Sequence, residues 1–405
     1  MEYVITVAKW LVVSSIIGLL GGGFGTLFHH GVEHATHLRM ENEMFLWLLP
    51  FAGLTIVVIY QIMRTEGLGT NVVIDAVHQG YAIPILLVPS IFCGTILTHL
   101  AGGSAGREGA ALQIGGGIGH SVGRAFRMDE KDCRIATMCG MSALFSALFG
   151  TPLAATIFAL EVISVGVLYY AAFIPSLTAA LVAYGLSLKL HVEPTRFAVS
   201  APQISGGVLL RTAILAGLCA LVCILFCEVL HYCGHFAVKA VKNPYTRAFV
   251  GGCVIIAMTK LVGTYDYNGA GMDVINAAIA GEAKPEAFLL KMIFTAVTLS
   301  CGFKGGEVVP TFFVGATFGC AAGTLLGLPA GFAASLGITA LFCGMVNCPI
   351  TSLIISVELF GAEGLICYAV ACAVSYVLSG YRGLYSSQTI LYSKLRAEFI
   401  NIHTK

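Results

Sequence analysis

Charge is what this sequence has least of. Asp, Glu, Lys and Arg make up 11% of its 405 residues, against about 25% in ordinary soluble domains, a scarcity that excludes a soluble globular chain. The two signs nearly cancel, at a formal net +1, so no global field argues for a nucleic acid or an acidic partner. The opening Met1-Glu-Tyr-Val lacks a basic stretch and a small-residue cleavage site, so no removable leader is expected. The fourteen cysteines lie mostly inside apolar stretches without the spacing of a disulfide framework, and read as small buried thiols. A nucleophile–base pair, a nucleotide motif and a metal constellation are all missing, so the sequence does not read as an enzyme and calls for no cofactor or metal.

What is there is apolar. By the broad count 57% of residues are hydrophobic, and the mean hydropathy is +0.88. A polytopic, all-α membrane protein in a lipid bilayer follows. Runs near the roughly 20 residues that cross hydrocarbon include Val7–Phe28, Phe45–Met63, Ile83–Leu100 and Val208–Leu230. Others, among them Met138–Phe149, Ile157–Val167, Val314–Leu326, Ile350–Phe360 and Leu365–Leu378, are short or cut by Gly and Pro. Forty-eight glycines predict helices that pack closely and break often. The whole of 1–405 reads as one transmembrane domain with no appended cytosolic domain.

Two glycine-rich breaks carry carboxylates: Gly103-Ser-Ala-Gly-Arg-Glu-Gly109 and Gly302-Phe-Lys-Gly-Gly-Glu-Val-Val-Pro310. Each precedes an apolar run. A carboxylate is costly to keep in that setting, while a break that starts a new helix presents free N–H groups and a dipole that attracts anions. The pair predicts an anion site at mid-membrane with a titratable gate.

The breaks belong to a longer repetition. Gly67-Leu-Gly-Thr-Asn71 and the residues after it match the segment from Gly269, 202 positions on. Gly106, Gly115 and Gly119 match Gly306, Gly315 and Gly319 at a shift of 200. Ala143-Leu-Phe145, Pro152 and Glu161 match Ala340-Leu-Phe342, Pro349 and Glu358 at a shift of 197. Ordered blocks with Pro and Glu at matched spacing point to duplication, with repeats over 1–200 and 201–405. Repeats with broken helices are a common transporter design, the site lying where they meet.

These motifs resemble the CLC family of anion channels and proton-coupled anion antiporters. The family's Gly-x-Gly-x-Pro falls on Gly67–Asn71, its Gly-Arg-Glu-Gly-Pro on Gly106–Ala110, its Gly-Gly-x-Phe-x-Pro on Gly305–Pro310, and its anion-coordinating tyrosine segment on Gly383-Leu-Tyr385-Ser. Gly150–Glu161 matches a further block, so the resemblance covers nearly the whole chain. It implies an inverted two-repeat fold of tilted, broken helices, a homodimer with one pathway per subunit, and residence in a cell membrane, by expectation a bacterial inner membrane. It also implies an anion site made by Gly106, Arg107, Gly109, Ala110, Leu68, Asn71, Val308, Val309 and Tyr385. Glu108 would be the gate that exchanges with the anion and couples it to protons; Arg107 reads as orienting or balancing charge rather than as a ligand.

The departures from the family pattern are informative. Leu68 replaces a Ser that offers a hydroxyl to chloride, Asn71 and Ala110 replace prolines, Val308 replaces a Phe, and Glu307 is an extra acid. An inner proton-relay Glu would fall near Val162, which does not titrate. This combination resembles the fluoride-exporting branch, implying fluoride/proton antiport with Glu307 on the proton path; a Thr of that branch is Val309 here. A chloride-type antiporter and a passive anion channel stand as alternatives, as does a structural Glu307 paired with Lys304. His29, His30, Glu33, His34 and His37 read as a wet helix end before they read as a metal site. Cys219, Cys223, Cys227 and His231 read as a packing face. Glu161 and Glu358 read as helix-end or dimer-adjacent structure before a proton route.

Overall fold

The computed structural model describes residues 2–404 as a mostly helical bundle. In the first half the helices are α1 (Glu2–Glu41), α2 (Met44–Trp47), α3 (Leu49–Ile62), α4 (Thr70–Gln79), α5 (Leu87–Ala101), α6 (Glu108–Ala125), α7 (Glu130–Phe149), α8 (Pro152–Glu161) and α9 (Phe173–Lys189). The second half holds α10 (Gly206–Ala240), α11 (Pro244–Val262), α12 (Met272–Ile279), α13 (Ala287–Ser300), α14 (Val308–Leu325), α15 (Ala330–Val346), α16 (Pro349–Phe360) and α17 (Leu365–Leu378). Among the described residues, five segments are long and apolar enough to cross a membrane: Val4–Glu41, Tyr170–Lys189, Gly206–Ala240, Pro244–Val262 and Val308–Leu325.

Punctuation in the sequence sets these boundaries. Left-handed glycines end α4, α5, α7 and α11 at Gly80, Gly102, Gly150 and Gly263, as expected where only a residue without Cβ turns the chain cheaply. Pro152 and Pro349 stand at the first positions of α8 and α16, where a missing N–H is harmless. The expected span Phe45–Met63 is broken at Leu48 into α2 and α3, and Ile83–Leu100 becomes helical at Leu87, past Pro84. Ile157–Val167 is helical to Glu161 and then enters a strand. The runs from Val7 and Val208 are parts of much longer helices.

That strand, β1 (Ser164–Val165), pairs in parallel with β2 (Thr389–Tyr392), which pairs antiparallel with β3 (Phe399–His403). This small sheet qualifies the all-α expectation and ties the chain's last residues to the end of α8.

Two helix pairs form the centre. Gly115 and Gly119 of α6 lie against α7, where added Cβ atoms would stand 2.2 Å from the Gly140 carbonyl oxygen and 2.1 Å from that of Ala136. Gly315 and Gly319 of α14 meet α15 likewise, 2.6 Å from the Gly337 oxygen and 2.5 Å from that of Ala333. Small residues at both faces let the backbones touch.

Glu161 and Glu358 cross-cap. The Glu161 carboxylate accepts from the Ile350 and Thr351 amides at 3.1 and 2.8 Å and from the Thr351 hydroxyl at 2.6 Å, at the start of α16. Glu358 accepts from the Leu153 and Ala154 amides at 3.1 and 2.9 Å, at the start of α8. Each acid thus satisfies free N–H groups at the other helix's positive end.

Candidate anion site

The two glycine-rich breaks, 200 residues apart in sequence, touch. Gly106 N donates to Gly306 O at 2.7 Å and Gly306 N to Gly106 O at 2.8 Å. Only glycine permits this approach: a Cβ on Gly306 would lie 2.2 Å from the Gly109 nitrogen. The contact brings the N-termini of α6 and α14 together, so two sets of unpaired amides and two positive dipole ends face one small volume.

Glu108 fills that volume. The residue is 1% exposed, and Oε2 accepts from the Arg107 amide at 2.9 Å. A Cβ on Gly106 would meet Glu108 Oε2 at 2.6 Å and Pro310 Cδ and Val309 Cβ at 3.1 Å, so the carboxylate lies between its own motif and the start of α14. Arg107 Nε stands 3.7 Å from Glu108 Oε1, while its Nη1 is 2.8 Å from His29 Nδ1. Arg107 is therefore held by α1 and leans toward the carboxylate.

Glu307 ends the second break. Its Oε2 is 3.2 Å from where a Gly109 Cβ would stand, so this acid lies beside the first motif. The pairing with Lys304 is not formed: Lys304 Nζ lies over the Tyr60 ring, 4.2 Å from its centroid. Tyr385 is 2% exposed, its hydroxyl has no hydrogen-bond partner, and it lies within electrostatic reach of both Glu307 and Glu108.

The remaining residues of the expected site divide. Gly109, Ala110, Val308 and Val309 are buried in the first turns of α6 and α14. Leu68 is half-buried and packs against the core with no polar group to offer. The Asn71 side chain is already engaged, donating to Ser386 Oγ at 3.0 Å and accepting from Ser387 N at 3.2 Å. It tethers the tyrosine segment.

Several neighbours carry no signal in the sequence. Gln113 Nε2 donates to Thr70 Oγ1 and to Gly109 O, each at 3.2 Å, and its Oε1 is buried without a partner. Thr404 Oγ1 donates to Tyr385 O at 2.5 Å. Gln388 is fully buried, and its Nε2 bridges the carbonyls of Val162 and Val346 at 3.0 and 2.9 Å. A neutral amide thus fastens the position where the family pattern leads one to expect an acid.

A cavity of about 600 Å³ runs from exposed Glu33, His37 and Glu43 to Arg107, Glu108 and Val309. At its mouth the ligand atoms of His29, His30 and Glu33 lie within 4.8 Å of one another. Neutral His29, accepting from Arg107 at Nδ1, keeps its proton on Nε2. That is the nitrogen facing Glu33 at 3.5 Å, so the lone pair a metal needs is missing. His29 orients Arg107 instead; the wet helix end describes exposed His34 and His37 but not His29.

Known proteins resemble this chain throughout. The model of the voltage gated chloride channel family matches residues 52–380. A "chloride/fluoride channel protein" of Pseudomonas syringae pv. tomato is 36% identical, over 96% of this chain and 88% of that one. An "H(+)/Cl(-) exchange transporter ClcA" of Vibrio cholerae is 26% identical, over 86% of this chain and 81% of its own length. Among solved structures, that of a CLC-type fluoride/proton antiporter superposes with a TM-score of 0.91 at 30% identity, covering 94% of this chain and 98% of that one. A slow cyanobacterial Cl-/H+ antiporter, 19% identical with a TM-score of 0.79 over 92% and 94% of the two chains, shares the fold. With four-fifths of its length matched and the same helical architecture, the chain is a multi-pass membrane protein of the CLC family, a family of channels and transporters rather than enzymes.

Proposed function

We propose that this protein is a fluoride/proton antiporter, a homodimer of a bacterial inner membrane, in which fluoride and the Glu108 carboxylate take turns in one amide-lined site between the repeats 1–200 and 201–405. The observation that carries the reading is the buried Glu108 carboxylate between the starts of α6 and α14, in the same buried region as the unpartnered Tyr385 hydroxyl. A dehydrated anion needs several donors and no fixed full charge in contact, or it would not leave. Amides of Gly109, Ala110, Val308 and Val309, with the tyrosine, meet that need. Protonation discharges Glu108, which then yields the site; deprotonation returns it, so one proton is exchanged against anion passage. Gly106 lets the carboxylate fold back, and Arg107, held by His29, balances its charge.

Fluoride rather than chloride is favoured by Leu68, which offers no hydroxyl, and by the fluoride/proton antiporter likeness over nearly the full chain. Glu307 is the second titratable group on the route, and its freedom from Lys304 supports a proton-carrying role. Glu307→Gln should slow proton-coupled fluoride exchange by about 100-fold, the lower range for losing a positioned proton donor. Wild-type exchange in that variant would return Glu307 to a structural role.

Purified protein in liposomes decides the function: fluoride efflux should draw in protons at a fixed ratio, and chloride should move far more slowly. Faster chloride than fluoride overturns the selectivity. The second reading, a passive channel, is favoured by Val162, whose place the resemblance gives to an acid. Anion flux without proton movement would establish it.

A further inference from the structure

Apart from Arg107, the cavity wall holds one cation that no part of this mechanism uses, Arg39, and a buried lysine shares its glycine neighbour. Lys291, in the middle of α13, is wholly buried. Its Nζ donates to Gly269 O at 2.7 Å and to Tyr267 O at 3.2 Å, with the Phe313 ring centroid 5.1 Å away. Arg39, near the end of α1, lies against the same glycine: its Nη1 and Nη2 are 2.8 and 3.1 Å from where a Gly269 Cβ would stand. Arg39 lines the cavity, and its Nη1 is buried with no hydrogen-bond partner.

Neither cation has a carboxylate at ion-pair distance among the described residues. The other acids of the cavity face other groups. Glu33 is 3.5 Å from His29 and His30, Glu43 is 3.6 Å from Lys260 and bonds Tyr265 at 2.6 Å, and Asp266 is 2.9 Å from Lys284. Glu108 leans on Arg107. Asp273 alone acts on Arg39, from beyond contact distance. The Arg39 guanidinium thus lines the cavity with no ion-pair partner among the described residues. One monovalent anion bound from the cavity would supply the partner that this guanidinium lacks.

We propose that Arg39 forms a second anion site in this cavity, which takes one small inorganic monovalent anion on its way to or from the Glu108 position. That the site binds an anion stands on the unpartnered Arg39 guanidinium alone; that it feeds transport rests on the function proposed above. The cavity that Arg39 lines is wide, at about 600 Å³, so an anion held there keeps part of its hydration and leaves readily. Steering of this kind raises arrival rates and fades as salt rises.

Sodium fluoride, and separately sodium chloride, titrated calorimetrically into detergent-solubilised protein should show one more anion bound per chain in the wild type and Arg39→Lys than in Arg39→Gln. In liposomes Arg39→Gln should raise the half-saturating anion concentration about tenfold, the low end of steering effects, and keep the maximal rate. Exposed Asp273→Asn removes the competing acid without touching the core, and should tighten the extra site several-fold. Equal anion counts in all these proteins, or unchanged affinity in Asp273→Asn, overturn the site. Binding that persists without any coupled flux would refute the antiporter and leave this site standing.

Discussion

At the scale of single residues, selectivity turns on which donors are present and which are withheld. Leu68 stands where the family resemblance places a serine that offers its hydroxyl to the anion, and it packs against the core instead. A hydroxyl restored there contributes about 1 kcal/mol of net hydrogen bonding, so Leu68→Ser should raise chloride flux relative to fluoride about fivefold. An unchanged ratio would locate selectivity elsewhere. Arg107, Glu108 and Glu307 were legible in the sequence because each sits in a motif whose glycines announce a helix start, and Tyr385 through the family resemblance of Gly383-Leu-Tyr385-Ser. His29, Gln113 and Thr404 were not. Their partners lie 78, 43 and 19 residues away, and a His or Thr in an apolar run carries no mark of its tertiary neighbour. Asn71 was legible as a departure but not in its tether to Ser386.

At the scale of elements, each half depends on an acid from the other. Glu161 satisfies three donors at the start of α16, and Glu358 two at the start of α8. A buried donor left unsatisfied costs about 1–3 kcal/mol. Glu161→Ala should therefore lower the melting temperature in detergent more than Glu358→Ala does, and both should lower it. A variant as stable as the wild type would show that water replaces the cap. The sequence marked both acids by their matched positions but not their exchange, since the capped helix starts lie about 190 and 205 residues away. Helix ends followed the glycines and prolines closely. The small sheet was missed because β1 is two residues long and its partner is 225 residues on, too short a stretch for alternation to show.

At the scale of the whole molecule, the site exists because two glycine-faced helix pairs bring two breaks to one point. A Cβ at Gly140 or Gly337 would stand 2.0 Å from the carbonyl oxygen of Gly115 or Gly315, a distance that forces the helices apart. Overpacking of this kind costs about 1–3 kcal/mol or more. Gly140→Ala and Gly337→Ala should each reduce the yield of folded protein and, in what survives, slow transport by shifting the Gly106–Gly306 contact. Wild-type stability and rate in either would mean the crossing is looser than drawn. The repetition was readable because glycine, proline and glutamate recur in order; the reciprocal backbone pair between the halves was not, for a hydrogen bond between two carbonyl–amide units leaves no side-chain trace.

The account depends most on Glu108 being the group that fluoride displaces and that carries the proton. Proton uptake measured alongside fluoride efflux in liposomes holding Glu108→Ala tests it most directly. Fluoride should still leave while proton uptake falls to the level of protein-free vesicles. Proton uptake tied to fluoride at the wild-type ratio would contradict the account.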